Sequence, residues 1–145
     1  MQINPYLFYN GNCEEAFRFY EKAIGAKIDV IMHVEGSPAA EHMPASMAKK
    51  VLHAQLSIDG EVIMASDAVM TSDSPQNGFE KMQGFSVSLQ AQTAAEGEKW
   101  FNALAEGGEV KMPFAATFWS KGFGMCIDKF GVPWMVNTAQ DCPDQ

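Results

Sequence analysis

Arginine, cysteine and histidine are scarce in this chain, and each shortage removes a class of function. Its 145 residues hold one arginine, Arg18, beside nine lysines. A phosphate or phosphonate pocket uses arginine forks or a helix amino terminus, so this composition gives such a ligand little support. Basic side chains number 10 against 18 acidic ones, a formal net charge of -8. That field repels nucleic acid and anionic headgroups, and neither nucleic acid nor membrane is an expected partner. No apolar run approaches the ~20 residues of a membrane span. The opening "MQINPYLFYNGN" lacks the basic and long apolar regions of a signal peptide. Cys13, Cys126 and Cys142 form no C-x-x-C pair and no zinc spacing, which predicts reduced thiols and a cytoplasmic setting. Cys13 falls at a predicted helix start, where the dipole can favour a thiolate, although a structural role is the better expectation. No G-x-S-x-G elbow is present, and no glycine-rich nucleotide or S-adenosylmethionine loop follows the first strand.

What the chain does have is a core. Hydrophobic residues make up 47%, with ten Phe, ten Met and three Trp, enough for one globular domain over 1–145. The order of elements repeats. A strand from Ile3 to Tyr9, a helix from Cys13 to Ile24, a strand from Lys27 to Val34 and the hairpin "HAQLSIDGEVIMASD" compose a first module of about 1–75. The Asp59-Gly60 pair marks that hairpin's turn, because a type I′ turn needs positive φ. "GFSVSLQ" at 84–90, a helix near 93–105, and strands at Glu109–Phe118, Gly124–Asp128 and "VPWMVNT" compose a second module of about 80–145. Gly25 and Gly107 end the two helices, and Gly60-Glu61-Val62-Ile63-Met64 parallels Gly131-Val132-Pro133-Trp134-Met135, at offsets of 82 and 71 residues. Both modules read βαβββ.

Such modules form an α+β fold. Each sheet covers one face with its helix, and two side by side curve into a cupped mixed sheet with the helices outside. In the hairpin, alternation sends Ala54, Leu56, Ile58, Ile63 and Ala65 to the helix. His53, Gln55, Ser57, Met64 and Ser66 are left to line the hollow. Phe85, Val87 and Leu89 likewise leave Ser86 and Ser88 inside. Tyr9 and Asn137 have the same parity and supply a hydroxyl and an amide. Cys126 matches Ser57 in parity and could pair with His53. Met135 lies in the last strand, and Trp119 in "TFWSKGFG" offers a stacking face; a core plug or dimer contact is the plainer reading of that segment. His53 suits acid–base work, or holds a structural hydrogen bond. His33 and His42, with Glu41, have no metal-ligand spacing.

The stretches "PYLFYNGNCEEAFRFYEKAIGAK", "HAQLSIDGEVIMASD", "TFWSKGFG" and "DKFGVPWMVNT" resemble the vicinal oxygen chelate superfamily of glyoxalases, dioxygenases and bleomycin-resistance proteins, and within it the PhnB-like group. The resemblance implies paired βαβββ modules and a homodimer, which would also cover exposed sheet edges. Many relatives hold a divalent metal on the first and last strands of each module. Carried across, those places are Pro5, Met64, Gly84 and Met135. Two have no side-chain donor, and thioethers suit soft Cu(I) rather than Zn, Ni or Mn. The expectation is therefore no metal and no cofactor. Three functions stay open: a binder of an unidentified small organic molecule; an enzyme, either a small-molecule isomerase, lyase or hydrolase using His53 or a metal-dependent glyoxalase-like enzyme with a non-standard site; and a ligand-free structural dimer. The missing ligand set favours the first.

Overall fold

In the computed structural model, residues 1–43, 45–68 and 79–138 are described; Cys142 falls outside them. The chain divides into two compact units, Met1–Glu80 and Lys81–Gln145. The first runs β1 (Tyr6–Tyr9), α1 (Cys13–Ile24), β2 (Lys27–His33), two short 3-10 turns (Pro38–His42 and Ala45–Met47), β3 (Val51–Ile58) and β4 (Glu61–Asp67). The second runs β5 (Val87–Ala91), α2 (Ala94–Ala105), β6 (Glu109–Ala115), β7 (Phe123–Ile127) and β8 (Pro133–Thr138). Each is βαβββ, as the repeat predicts. The strands bond as two four-stranded mixed sheets, ordered β1-β4-β3-β2 and β5-β8-β7-β6. The first strand of each unit runs parallel to the last, and the other pairings are antiparallel.

Local chemistry sets the boundaries. Asp59 and Gly60 have φ of 49° and 82°, so the tight turn takes the two positive values its residues predict. Pro5 precedes β1 and has no N–H to donate, so it contributes only its carbonyl, to the Met64 N–H at 3.0 Å. The strand expected from Ile3 therefore begins at Tyr6. Gly84, expected to open the next strand, takes φ of 81°, and β5 starts three residues later. The strand expected to reach Phe118 stops at Ala115. Pro113 lies within a register shift of β6, where an edge strand tolerates a missing donor.

Each core lies between one helix and its sheet. In the first unit Ala16, Phe17, Tyr20 and Ile24 of α1 are buried with Leu7, Ala54, Leu56, Ile63 and Ala65. In the second, Phe101 and Leu104 of α2 are buried with Leu89, Trp134 and Val136. Asn12 makes no side-chain cap on α1. Asp67, 2% exposed at the end of β4, accepts from the Cys13 N–H at 2.9 Å and the Val51 N–H at 2.8 Å. One carboxylate thus ties the start of α1 to the start of β3. Asp128 organises the β7–β8 turn. It accepts from the Phe130 and Val132 N–H groups and from the Trp134 indole at 2.8 Å.

Candidate functional site

The face of the first sheet opposite α1 follows from its registers. Tyr6 pairs with Met64, Met64 with Gln55, and Gln55 with Val30, giving one row across four strands. The next row holds Phe8 and Ser66 on β1 and β4, and His53 and Met32 on β3 and β2. Tyr6, Phe8, Val30 and Met32 are all exposed. In their midst the Tyr6 hydroxyl lies 3.1 Å from His53 Nδ1, with the rings stacked at 5.7 Å and 30°. Phe8 lies 5.1 Å from the Tyr6 ring. In either tautomer this contact engages Nδ1, so Nε2 is the nitrogen left to meet a ligand. Asp29, at a register shift of β2, accepts from Gln55 Nε2 at 3.2 Å and Ser57 Oγ at 3.1 Å. Alternation from Lys27, the partner of Ser57, puts Asp29 on this face, and the bulge brings Val30 beside Gln55 on it as well.

His53, Gln55, Ser57 and Met64 therefore share the face expected of them. Ser66 belongs to the same row but is only 7% exposed, so it forms floor rather than contact surface. Tyr9 must be corrected. It pairs in register with Asp67 and points under α1, where it is fully buried, edge-on to Phe17 at 6.3 Å and with its hydroxyl 3.1 Å from that of Tyr20. The phenol on the candidate face is Tyr6. Counting parity along a short strand misses this, because the pairing of β1 with the distant β4 decides which residues face outward.

In the second sheet, Ser88 pairs with Met135, Gln90 with Asn137, and Asn137 with Phe123. Asn137 Nδ2 donates to Gln90 Oε1 at 2.9 Å, and Gln90 Nε2 donates to Ser88 Oγ at 3.0 Å. Ser86 precedes β5 and lies outside this chain of hydrogen bonds. Cys126 is the second correction. It pairs with Trp134 beneath α2 and is buried. The pairs Ser57–Val62 and Ile127–Pro133 mark equivalent points of the two hairpins, and the second connection is one residue longer. That residue inverts every side chain of β7 relative to a constant offset. Trp119 lies in a loop secured by Thr117 and Ser120. Thr117 Oγ1 accepts from the N–H groups of Trp119 and Ser120, at 3.3 and 3.1 Å. The buried Ser120 hydroxyl lies 2.7 Å from the Gly122 carbonyl and 2.8 Å from that of Thr138. Trp119 is consequently held half out, edge-on to Phe123 at 5.5 Å.

The thiols of Cys13 and Cys126 are poor nucleophiles. Burial, then the Asp67 and Glu14 carboxylates, raises the Cys13 pKa and outweighs the helix dipole. Burial, then Asp128, pushes Cys126 up to about 11. Arg18 lies within 4 Å of Glu14 and Glu21, at 3.7 and 3.2 Å, and His33 Nε2 meets Glu14 at 2.6 Å. Neither is on the Tyr6–His53 face. Among the described residues no group of three His, Cys, Asp or Glu side chains could hold a metal ion. The donors at the places inherited by resemblance do not fit a divalent ion either. Pro5 and Gly84 precede their strands, and register makes Tyr6 and Ser88 the neighbours of Met64 and Met135. A phenol, a hydroxyl and two thioethers are a poor set for zinc, nickel or manganese.

Known proteins match this chain over nearly its whole length. The family model described as 3-demethylubiquinone-9 3-methyltransferase covers residues 1–137. Protein YjdN of Escherichia coli (strain K12) is 36% identical over 153 aligned residues, spanning 100% of both chains. The crystal structure of PA1353 from Pseudomonas aeruginosa superposes with a TM-score of 0.84 at 44% identity, covering 97% of this chain and 99% of that one. A Bacillus cereus structure, described as a putative 3-demethylubiquinone-9 3-methyltransferase, PhnB protein, gives 0.74 at 27% identity over 96% and 100% of the two chains.

Proposed function

Given that the chain belongs to the 3-demethylubiquinone-9 3-methyltransferase family, and is a PhnB-like protein of the vicinal oxygen chelate superfamily, we propose that it binds a small organic molecule without a divalent metal. The observation that carries this reading is the Tyr6–His53 contact, set among exposed aromatic, aliphatic and thioether side chains on one sheet face. A planar ligand would lie against Tyr6, Phe8 and Met32. His53 Nε2 and the Gln55–Asp29–Ser57 cluster would meet its polar groups. Methyl transfer, named in the family's description, has no part in this proposal, because β1 runs into Asn10-Gly11-Asn12 and α1 without a glycine-rich donor loop. The two units act as paired modules of one domain, in a homodimer that works in the cytoplasm. A second reading, acid–base catalysis, is favoured by the same contact, since the phenol orients the imidazole for proton transfer at Nε2.

A thermal-shift screen of planar and aromatic organic compounds tests the proposal. A ligand at 100 times its Kd should stabilise the protein by about 2.7 kcal/mol. His53→Ala should reduce that shift without changing the fold, and Tyr6→Phe should weaken binding less. Ligand-induced stabilisation that survives both substitutions would place the site elsewhere. Stoichiometric zinc or nickel in the purified protein would overturn the metal-free reading.

A further inference from the structure

The face of the second sheet opposite α2 carries a feature that the binding proposal does not use. Met112 pairs with Met125, and Met125 with Met135, so three thioethers stand side by side on β6, β7 and β8. Paired residues of an antiparallel ladder project on the same side, and neighbouring strands lie about 4.8 Å apart. The two outer side chains therefore flank the central one from about 10 Å apart, a gap that two flexible methionines can close between them. None of the three is buried, and Met112 is 42% exposed. The adjoining rows hold Phe123 and Asn137 on one side, and Ile127 and Pro133 on the other.

We infer that Met112, Met125 and Met135 form a site for a soft monovalent cation, Cu(I) or the closed-shell Ag(I). Thioether sulfur is a neutral, polarisable donor that selects such ions over hard or borderline divalent ones. The hydroxyl and amide groups on this face are engaged with one another, in the chain from Asn137 through Gln90 to Ser88. The Cys126 thiol points beneath α2 toward the buried Trp134. Strands β5, β7 and β8 place no titratable side chain on the face, and β6 carries Glu109 and Lys111, which pair with each other at 3.0 Å. The unneutralised positive charge of the bound ion is compatible with a chain of net charge -8. A thioether also has no proton to lose. Binding should therefore be insensitive to acid, whereas thiolate and imidazole sites weaken as their ligands protonate.

The test uses full-length protein labelled with 13C in the methionine methyls, in a Cys142→Ser background, whose other two thiols are buried. Silver nitrate is titrated in chloride-free buffer at pH 5 and pH 7, with the methyl signals assigned by single substitutions. The methyls of Met112, Met125 and Met135 should move together and saturate at one equivalent, equally at both pH values, while zinc leaves them in place. Loss of an outer-shell partner alone typically costs about 10–100-fold in metal affinity, so loss of a ligand in Met125→Leu should weaken binding at least about tenfold. Met112→Leu, at an exposed position, repeats the test where packing is least disturbed. Unmoved methyls would overturn the inference, as would shifts shared equally by Met32 and Met64, or binding lost at pH 5. Shifts at Met32 and Met64 would place ion binding on the Tyr6–His53 face instead; the other outcomes leave that proposal untouched, and His53→Ala tests it separately.

Discussion

Replacing Asp67 by asparagine should detach α1 from its hairpin without altering shape. In the native protein both carboxylate oxygens are used, one by the Cys13 N–H at 2.9 Å and one by the Val51 N–H at 2.8 Å, at a site 2% exposed. An asparagine oxygen can accept one of these donors, but its NH2 group must then face the other. Hydrogen bonds to a charged acceptor contribute about 1.5–3 kcal/mol, and a buried donor left without a partner costs about 1–3 kcal/mol. Asp67→Asn should therefore lose about 2–4 kcal/mol from a total that is typically 5–15 kcal/mol. With a urea dependence of about 1–3 kcal/mol per molar, the unfolding midpoint should fall by roughly 1–2 M. Amide hydrogen exchange gives the local counterpart: protection should drop at Cys13 and Val51 before it drops at core amides of α2. A midpoint within experimental error of the native protein, with both amides still protected, would refute the assignment of Asp67 as the tie between helix and strand.

Ser120→Ala should cost about 1–3 kcal/mol, because the hydroxyl is buried against the carbonyls of Gly122 and Thr138. The Trp119 indole N–H signal should broaden in NMR spectra as its loop loosens; a sharp, unshifted signal would mean that Thr117 holds the loop alone. Alkaline pH should expose the buried thiol of Cys126, whose pKa is raised to about 11 from an ordinary 9.0. The unfolded chain releases this proton first, so the contribution is complete below pH 9 and is lost as pH rises through 11. Cys126→Ala should flatten that part of the stability profile; an unchanged slope between native and variant would assign the loss to other groups.

Apolar spacing together with turn chemistry was enough to read the order of elements. The apolar spacing of Ala16, Phe17, Tyr20 and Ile24 marked α1, and Asp59-Gly60 marked a hairpin turn whose backbone has the required positive φ values. His53, Gln55 and Ser57 were legible as one face because two-residue alternation survives along an uninterrupted strand. Tyr6 was not, because its neighbour Met64 is far away in sequence and parallel register leaves no local signal. Asp29 escaped notice for a related reason: its partners Gln55 and Ser57 lie 26 and 28 residues away. Cys126 was misplaced because an offset measured on one strand was carried through a turn of different length. The role of Asp67 depends on donors at residues 13 and 51, and no pattern around position 67 announces them.

The extra residue between β7 and β8 has a consequence for how two modules of one topology come to differ. Point substitutions change a sheet face one side chain at a time, and each must be compatible with the core on the other side. A change of one residue in a turn exchanges the inner and outer sets of a whole strand in a single event. Here it leaves β3 displaying an imidazole, an amide and a hydroxyl, while β7 displays Phe123, Met125 and Ile127. Strands β3 and β7, equivalent in topology, thereby present a hydrogen-bonding set and a greasy, sulfur-bearing one, and turn length controls which chemistry a strand displays.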